Sequence, residues 1–234
     1  MNSVRSDNRE MSQKGWVVVA LFALVVALLG GSSRPDAMQT IGLRSLTALF
    51  LIPVIYYFSK ARLQTVRAPL IMLLLLGLWM TIQIVPLPPS IWQSLPGMEP
   101  VVALSATLGI EGVWRPISLV PFRTLNALAS LIVPLIALVL PVIFGLRRTA
   151  ILFGVIAIGV ACAFLGLLQV IDGSDSALYF YEYVNRGSPV GLLANRNHAA
   201  VLLSLTLVTI TYVMVGTGGR PLKNWHRMAL ASAF

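Results

Sequence analysis

The chain alternates between long apolar runs and shorter polar connections. Six runs are long and apolar enough to be membrane helices, and they cover residues 15–31, 41–58, 68–85, 124–144, 149–171 and 199–215. Each approaches the ~20 residues that a helix needs to cross about 30 Å of hydrocarbon. The pattern predicts an all-α fold, a polytopic helical bundle integral to a membrane, with residues 1–234 forming a single membrane domain.

The composition supports a membrane protein. The chain is 57% hydrophobic and 11% charged, with a mean hydropathy of +0.85, whereas soluble domains carry about 25% charged residues. A further apolar run begins at residue 228 and reaches the last residue, Phe234. Because a helix that ends in mid-bilayer leaves backbone groups unpaired, this run is predicted to be the start of a seventh membrane helix. We therefore expect the chain to be the N-terminal part of a longer protein.

The basic charge lies on one side of the predicted topology. With the N-terminus in the cytoplasm, the cytoplasmic segments hold the whole net charge of +9, and the outer segments are balanced. This distribution follows the positive-inside rule, so it indicates orientation and not nucleic-acid binding. A basic leader containing Arg5, Arg9 and Lys14 precedes the first run, and LGGSSRP after it lacks an A-x-A site. These features predict a retained anchor instead of a cleaved secretory signal.

Two long connections, residues 86–123 and 172–198, are predicted to lie outside the cytoplasm, where loops on a rigid scaffold tend to carry function. In the first, Ile91, Trp92 and Leu95 share one face of a short helix that we expect to lie along the outer interface. The second holds an aromatic cluster, interpreted as an interfacial belt with sugar stacking as the alternative. Its members are Tyr179, Phe180, Tyr181 and Tyr183.

Residues inside the runs are assigned packing and solvation roles. Gly159, Ala163 and Gly166 form a small-residue stripe for close helix packing, with Cys162 beside it. Prolines in the fourth run predict a kink. Three polar side chains near outer helix ends are expected to be hydrated, namely Gln83, Asn126 and Gln169. One cysteine allows no intrachain disulfide, and no Cys/His cluster indicates a metal.

The absence of several patterns narrows the possible chemistry. No predicted run carries a charge near its centre, which disfavours an ion-coupled transporter. The sequence also contains no Walker motif, nucleotide-binding glycine loop, HExxH or GxSxG. Any reaction is therefore expected at the outer face.

The stretch GLLANRNHAA places Asn195, Arg196, Asn197 and His198 directly before the sixth run. One interpretation is structural: an asparagine caps the helix, Arg196 extends to the headgroups, and His198 is interfacial. The other is functional. A helix N-terminus attracts anions, arginine offers a planar fork for phosphate oxygens, and an imidazole exchanges protons near neutral pH. The second interpretation predicts a site for a lipid-linked diphosphate.

The box in GLLANRNHAA resembles the "NRNH-aromatic-Ala" box of the O-antigen ligase and polymerase family of bacterial inner-membrane glycosyltransferases. PLPPSIWQSL and WRPISLVPFRTL are also similar to the outer-loop pattern of that family, with Pro-Leu-Pro, Trp and Ser-Leu-x-Pro-x-x-Thr. The resemblance extends over about residues 79–205. Two features depart from the family: Ala199 stands where an aromatic residue follows the histidine, and the large later periplasmic loop carrying the essential His and Arg is not in this chain.

The resemblance implies transfer of a glycan from an undecaprenyl diphosphate carrier on the periplasmic face, as in lipopolysaccharide or other polysaccharide biosynthesis. The acceptor would be lipid A core, a growing polysaccharide or a protein. It implies no metal and no cofactor. Arg196 would bind the donor diphosphate with Asn195 and Asn197, and His198 would be the catalytic candidate.

Two other functions remain open at this point. The first is a transporter or flippase-like carrier of lipid-linked or amphipathic substrates, which would move its substrate without forming a bond. The second is a non-catalytic membrane scaffold, such as a truncated remnant.

Overall fold

The computed structural model describes residues 2–32 and 38–215, with side chains from Gly15 onward. In these ranges the regular structure is helical, and the one extended pairing is an antiparallel bridge between Leu87 and Arg115. The helices are α1 Asn2–Leu29, α2 Met38–Leu49, α3 Leu51–Tyr56, α4 Lys60–Leu63, α5 Arg67–Ile84, α6 Pro89–Trp92, α7 Glu99–Thr107, α8 Pro121–Ser130, α9 Ile132–Ile143, α10 Arg148–Asp172 and α11 Arg196–Val215.

Five helical segments in the described residues are long and apolar enough to cross a membrane, and they correspond to the second to sixth predicted runs. They are Met38–Tyr56, Lys60–Ile84, Pro121–Ile143, Arg148–Asp172 and Arg196–Val215. The first run differs, because the apolar part of α1 is Gly15–Leu29. At 1.5 Å per residue this part rises about 22 Å, less than the ~30 Å of hydrocarbon. The predicted seventh helix lies outside the described residues.

Three of the five segments are interrupted helices. Phe50 separates α2 from α3, and the 3-10 turn Gln64–Val66 separates α4 from α5. The break between α8 and α9 falls at Leu131, three residues before Pro134. Proline has no N–H to donate to the carbonyl four residues earlier, which here belongs to Ser130. The predicted interruption of the fourth run therefore has a local cause. Pro141 is accommodated inside α9, which ends two residues later at Ile143.

The two long connections lie at the same end of the bundle, which we call the loop end. The turn that follows α1 contacts the second connection there, since the backbone N–H of Ala194 donates to the carbonyl of Gly31 at 2.8 Å. At the opposite end, the Arg62 guanidinium donates to the carbonyl of Ile143, the last residue of α9. A cation at this position also interacts favourably with the helix dipole.

Two small cores join the helices. Phe22 of α1 packs with Ile136 and Leu140 of α9 and with Phe144, the residue that follows α9. Ile156 of α10 packs with residues 210 and 213 of α11. By contrast, α5 has no buried residue, and most of its apolar side chains are exposed. An exposed apolar surface of this kind is typical of lipid-facing helices. Lipid tails are themselves apolar, so there is no hydrophobic force to bury these side chains against another helix.

The small-residue stripe is confirmed as a packing surface at two of its three positions. A Cβ on Gly159 would overlap the side chain of Thr206 on α11, and one on Gly166 would lie 3.2 Å from Pro189. Ala163, however, is exposed. Cys162 takes its place with 2% of its surface exposed, because the loop residues next to Pro189 cover that side of α10.

Gly159→Val is expected to lower the free energy of unfolding by about 1–3 kcal/mol, since the added atoms overpack the contact with Thr206. The measurement is denaturation in detergent micelles followed by tryptophan fluorescence. Gly154→Val is the matched control on the same helix, because a Cβ there meets no atom within 4 Å. Equal destabilisation by the two substitutions would contradict the packing role.

Candidate functional site

The residues predicted as a site lie at the N-terminus of α11, which begins at Arg196. Asn195 is the cap: its Oδ1 accepts a hydrogen bond from the Asn197 N–H at 2.8 Å, and its carbonyl accepts one from Ala199 at 3.0 Å. The structural interpretation of Asn195 is therefore confirmed. Its side-chain oxygen is occupied by the helix, so the role left to it at a binding site is to shape the first turn.

A second asparagine, Asn185, also holds this turn, and no sequence pattern indicates it. The backbone N–H of Arg196 donates to Oδ1 of Asn185 at 3.0 Å, and the N–H of Asn185 donates to the carbonyl of Ala194 at 3.0 Å. Of the first three amides of α11, only that of His198 has no hydrogen-bond acceptor in the part of the chain described. The anion site predicted at this terminus therefore has fewer free backbone N–H donors than an uncapped helix end.

The side chains of Arg196, Asn197 and His198 are all exposed. They lie on consecutive residues of the first turn, and the described residues contain no carboxylate paired with Arg196. Ala199 is different, with only 2% of its surface exposed. A larger residue at this position would have to displace its neighbours.

Gln169 organises the loop that precedes the box, and its predicted hydration is wrong. The residue is completely buried. Its Oε1 accepts hydrogen bonds from the backbone N–H groups of Val190 at 3.2 Å and Gly191 at 2.8 Å. Its Nε2 donates to the carbonyls of Leu178 and Gly191, both at 2.9 Å. One side chain of α10 thus satisfies four backbone groups of the second connection.

Gly191 allows this loop to approach α10 closely. Its φ is +60°, a left-handed conformation that favours glycine. A Cβ there would overlap the carbonyl and sulfur of Cys162. The glycine in PVG is the only local signal in the sequence for this contact.

The aromatic cluster has two parts, and burial contradicts the predicted interfacial position for two of its four rings. Phe180 and Tyr183 are exposed, as a belt requires, whereas Tyr179 and Tyr181 are each only 6% exposed. The Tyr179 hydroxyl accepts from the Gly187 N–H at 2.9 Å and donates to a neighbouring carbonyl at 3.2 Å. These two buried rings brace the loop from within.

Tyr181 connects the loop to the first helix. Its hydroxyl accepts from the Gly31 N–H at 3.0 Å and donates to the carbonyl of Leu28 at 3.3 Å. Burial raises the pKa of Tyr181, and the hydrogen bond from Gly31 opposes this shift in pKa. The hydroxyl therefore stays protonated, as its donation to Leu28 requires.

Tyr181→Phe is expected to lower the free energy of unfolding by about 1–2 kcal/mol, because two hydrogen bonds are lost and the Gly31 N–H is orphaned. The pH dependence follows from the raised pKa. The contribution of Tyr181 to the free energy of unfolding is complete below the ordinary pKa of 10.0. This contribution is lost as the pH rises through the raised pKa of the folded state.

The measurement for this substitution is the denaturation midpoint as a function of pH. Wild-type protein should lose more stability than Tyr181→Phe as the pH rises above 10.0. Tyr56→Phe is the control, because Tyr56 is 79% exposed. Parallel pH curves for wild type and Tyr181→Phe would contradict the assignment.

The first long connection folds around a buried tryptophan. The sequence predicts Trp92 on a helix at the membrane interface. Instead, α6 is a single turn, and Trp92 is fully buried. Its Nε1 donates to the carbonyl of Val113 at 3.0 Å, and the Arg115 guanidinium lies 5.5 Å from its ring centre. The second helix of this connection, α7, was not predicted, because EPVVALSAT has no clear amphipathic period.

The Ser-Leu-x-Pro-x-x-Thr segment forms the entry to α8. The hydroxyls of Ser118 and Thr124 are hydrogen-bonded at 2.7 Å, and Pro121 occupies the first position of the helix, where its missing N–H has no cost. The spacing of the two hydroxyls is thus explained by local folding. No hydrogen bond described in the structure joins residues 86–120 to the box at 195–198.

The arrangement at α11 presents an exposed guanidinium, an exposed imidazole and one helix amide at the loop end. Such groups can bind phosphate oxygens and transfer a proton. In the described residues no group of three or more His, Cys, Asp or Glu side chains is arranged to hold a metal ion. Comparisons with protein-family models, curated proteins and solved structures found no match to this chain.

Proposed function

We propose that the protein is a membrane glycosyltransferase of the O-antigen ligase type. It would transfer a glycan from an undecaprenyl diphosphate carrier to an acceptor, either lipid A core, a polysaccharide or a protein. Arg196 binds the donor diphosphate, Asn195 and Asn197 shape the turn that presents it, and His198 is the catalytic residue. The sequence resemblance of the box suggests this assignment.

The observation that carries the proposal is an apolar groove whose lining includes Leu192, three residues before Asn195. The groove lies between α1 and α10, has a volume of about 510 Å³, and is lined by Ala23, Ile158 and Leu192 among other apolar residues. A neighbouring cavity of about 310 Å³ shares these three residues and adds Leu193 and Leu202. Residues 192 and 193 stand just before the cap of α11. A polyprenyl tail in this groove would bring its diphosphate to the exposed side chain of Arg196.

The proposed reaction is a substitution at the anomeric carbon of the donor sugar. The acceptor hydroxyl oxygen forms a bond to that carbon, and the bond from the carbon to the diphosphate oxygen breaks. The bonding electrons leave with undecaprenyl diphosphate, whose charge Arg196 offsets. His198 accepts the proton of the acceptor hydroxyl.

The proposal includes an orientation. The N-terminus lies in the cytoplasm, and α1 crosses the membrane in addition to the five candidate spans. The loop end faces the periplasm of a bacterial inner membrane. The one-sided charge distribution supports this orientation. The long continuous helix Asn2–Leu29 would then extend from the membrane into the cytoplasm.

The test is a transfer assay with the whole gene product in lipid nanodiscs. Purified protein is mixed with an undecaprenyl diphosphate-linked glycan and candidate acceptors, and both the glycosylated product and the released carrier are quantified. Stoichiometric formation of the two products is expected. If instead labelled carrier crosses the bilayer of proteoliposomes and no glycosidic bond forms with any acceptor, the protein is a lipid carrier and the glycosyltransferase proposal fails.

A further inference from the structure

Arg44 is a charged residue within an apolar membrane segment. It lies on α2, in the candidate span Met38–Tyr56, and its Cα is three residues from the middle of that span. The helix begins at Met38, three residues before the predicted apolar run, so Arg44 lies deeper in the span than the sequence indicates. An ionisable residue within a span is costly and marks a functional position.

The guanidinium of Arg44 is held by two neutral side chains of α8. Its Nε donates to Oγ of Ser130 at 3.0 Å, and its Nη1 donates to Oδ1 of Asn126 at 2.9 Å. The Ser130 hydroxyl in turn donates to the backbone carbonyl of Asn126 at 2.9 Å. Asn126 is therefore not simply hydrated, as its sequence position predicts. These bonds fix the orientation of the guanidinium without neutralising it.

Part of the hydrogen-bonding capacity of Arg44 is unused. An arginine has five N–H donors, and two are engaged by α8. In the described residues no carboxylate pairs with Arg44. The residue is half-buried, and none of its nitrogen atoms is both buried and unpaired. The remaining N–H groups therefore have no acceptor among the described residues, and part of the half-buried side chain is exposed.

The helix geometry directs these donors towards the headgroups at the loop end. Side chains on a helix point towards its N-terminus, and the N-terminus of α2 lies at the loop end. The guanidinium therefore extends from the Cα of Arg44 towards the membrane surface, where lipid phosphates lie. Thr47, one turn further along the same helix face, is fully buried, and its hydroxyl has no partner in the described residues. This face of α2 thus has two polar groups with unmet hydrogen-bonding capacity.

We propose that Arg44, Asn126 and Ser130 form a phosphate-binding site at the loop end of the bundle, separate from the box at α11. Asn126 and Ser130 hold the guanidinium, and its free N–H groups bind phosphate oxygens, the charge-assisted contact for which the arginine fork is suited. The ligand is a phosphate group carried by a membrane lipid or present as a free anion. The site does not depend on the proposed glycosyl transfer.

The test measures lipid retention by native mass spectrometry of the full chain in detergent. The probe is dioleoyl phosphatidylglycerol, and dioleoylglycerol, which has the same tails without phosphate, is the matched ligand. Wild-type protein is expected to retain the phospholipid preferentially. Arg44→Gln can still donate to α8 but has no charge, and it should weaken retention at least about tenfold. Arg67→Gln is the control, since Arg67 is an exposed arginine at the opposite end of the bundle.

A second variant separates binding from folding. Asn126→Asp places a carboxylate beside Arg44, so it should preserve or raise the melting temperature while lowering phospholipid retention to the level of Arg44→Gln. Inorganic phosphate is added in a further arm. Displacement of the lipid by millimolar phosphate identifies a free anion as a ligand, and resistance to it identifies the lipid headgroup. Wild-type retention by both folded variants would overturn the proposal.

Discussion

Arg196→Ala is expected to lower the rate of glycan transfer by about 100-fold, the typical cost of removing a group that stabilises developing charge. In the proposed reaction this charge develops on the diphosphate leaving group, next to the exposed guanidinium of Arg196. The measurement is a single-turnover transfer assay with saturating undecaprenyl diphosphate-linked donor. Arg196→Lys should recover only part of the rate, because lysine keeps the charge but loses the two-pronged geometry.

The fold should tolerate this substitution, which makes the kinetic result interpretable. Arg196 contributes its backbone N–H to Asn185, and an alanine at this position makes the same bond. Arg186→Ala is the matched control in the same loop, since Arg186 is also exposed but interacts with the Tyr179 ring and the Ser174 carbonyl. Transfer by Arg186→Ala should stay within about threefold of wild type, because its contacts are at an exposed site. A wild-type rate for Arg196→Ala at normal protein levels would refute the donor-binding role.

The helices could be predicted from the sequence because a long apolar run has few alternatives in a membrane. The ends were harder to place. The second run was expected to begin at residue 41, but the helix begins at Met38, since polar residues such as Gln39 and Thr40 fit the first turn as well as a loop. The apolar pattern alone cannot show whether a run is one helix or two. In the fourth run the prolines indicate the interruption, and the break falls at Leu131.

The polar contacts of the candidate site could be predicted only where they are local. The sequence predicts a cap at Asn195 or Asn197, because a cap bonds to its own helix within a few residues. Gln169 and Tyr181 were missed because their partners are distant in sequence: Gly191 is separated from Gln169 by 22 residues and Gly31 from Tyr181 by 150. A glutamine near a helix end looks the same in sequence whether it is hydrated or buried beneath a loop.

The packed face of α10 was also only partly predictable from the sequence, because its packing partner is distant along the chain. Helical spacing puts Ala163 close to Gly159 and Gly166, so periodicity alone cannot separate it from Cys162. The choice is made by the loop, which lays Gly191 against Cys162 and Pro189 against Gly166. Small residues indicate that something approaches closely, but the approaching element here is a loop as well as a helix.

Gln169→Leu is expected to have the largest effect on stability, lowering the free energy of unfolding by about 3 kcal/mol or more. Leucine is similar in size to glutamine but cannot form hydrogen bonds. The substitution therefore leaves two backbone N–H groups without an acceptor and two backbone carbonyls without a donor. Each buried group left unsatisfied costs about 1–3 kcal/mol. The measurements are the denaturation midpoint in detergent and hydrogen exchange at the amides of Val190 and Gly191, which should speed up markedly.

Two further variants identify the cause of this effect. Gln169→Glu keeps the acceptor for the two N–H groups but replaces the amide donor that faces the carbonyls of Leu178 and Gly191. The stability of this variant should also fall, because a buried negative charge then lies against carbonyl oxygens. Gln83→Leu is the matched control, since Gln83 is also near a helix end but is only half-buried. If Gln169→Leu changed neither stability nor amide exchange relative to Gln83→Leu, the second connection would be held by its tyrosines and not by this glutamine.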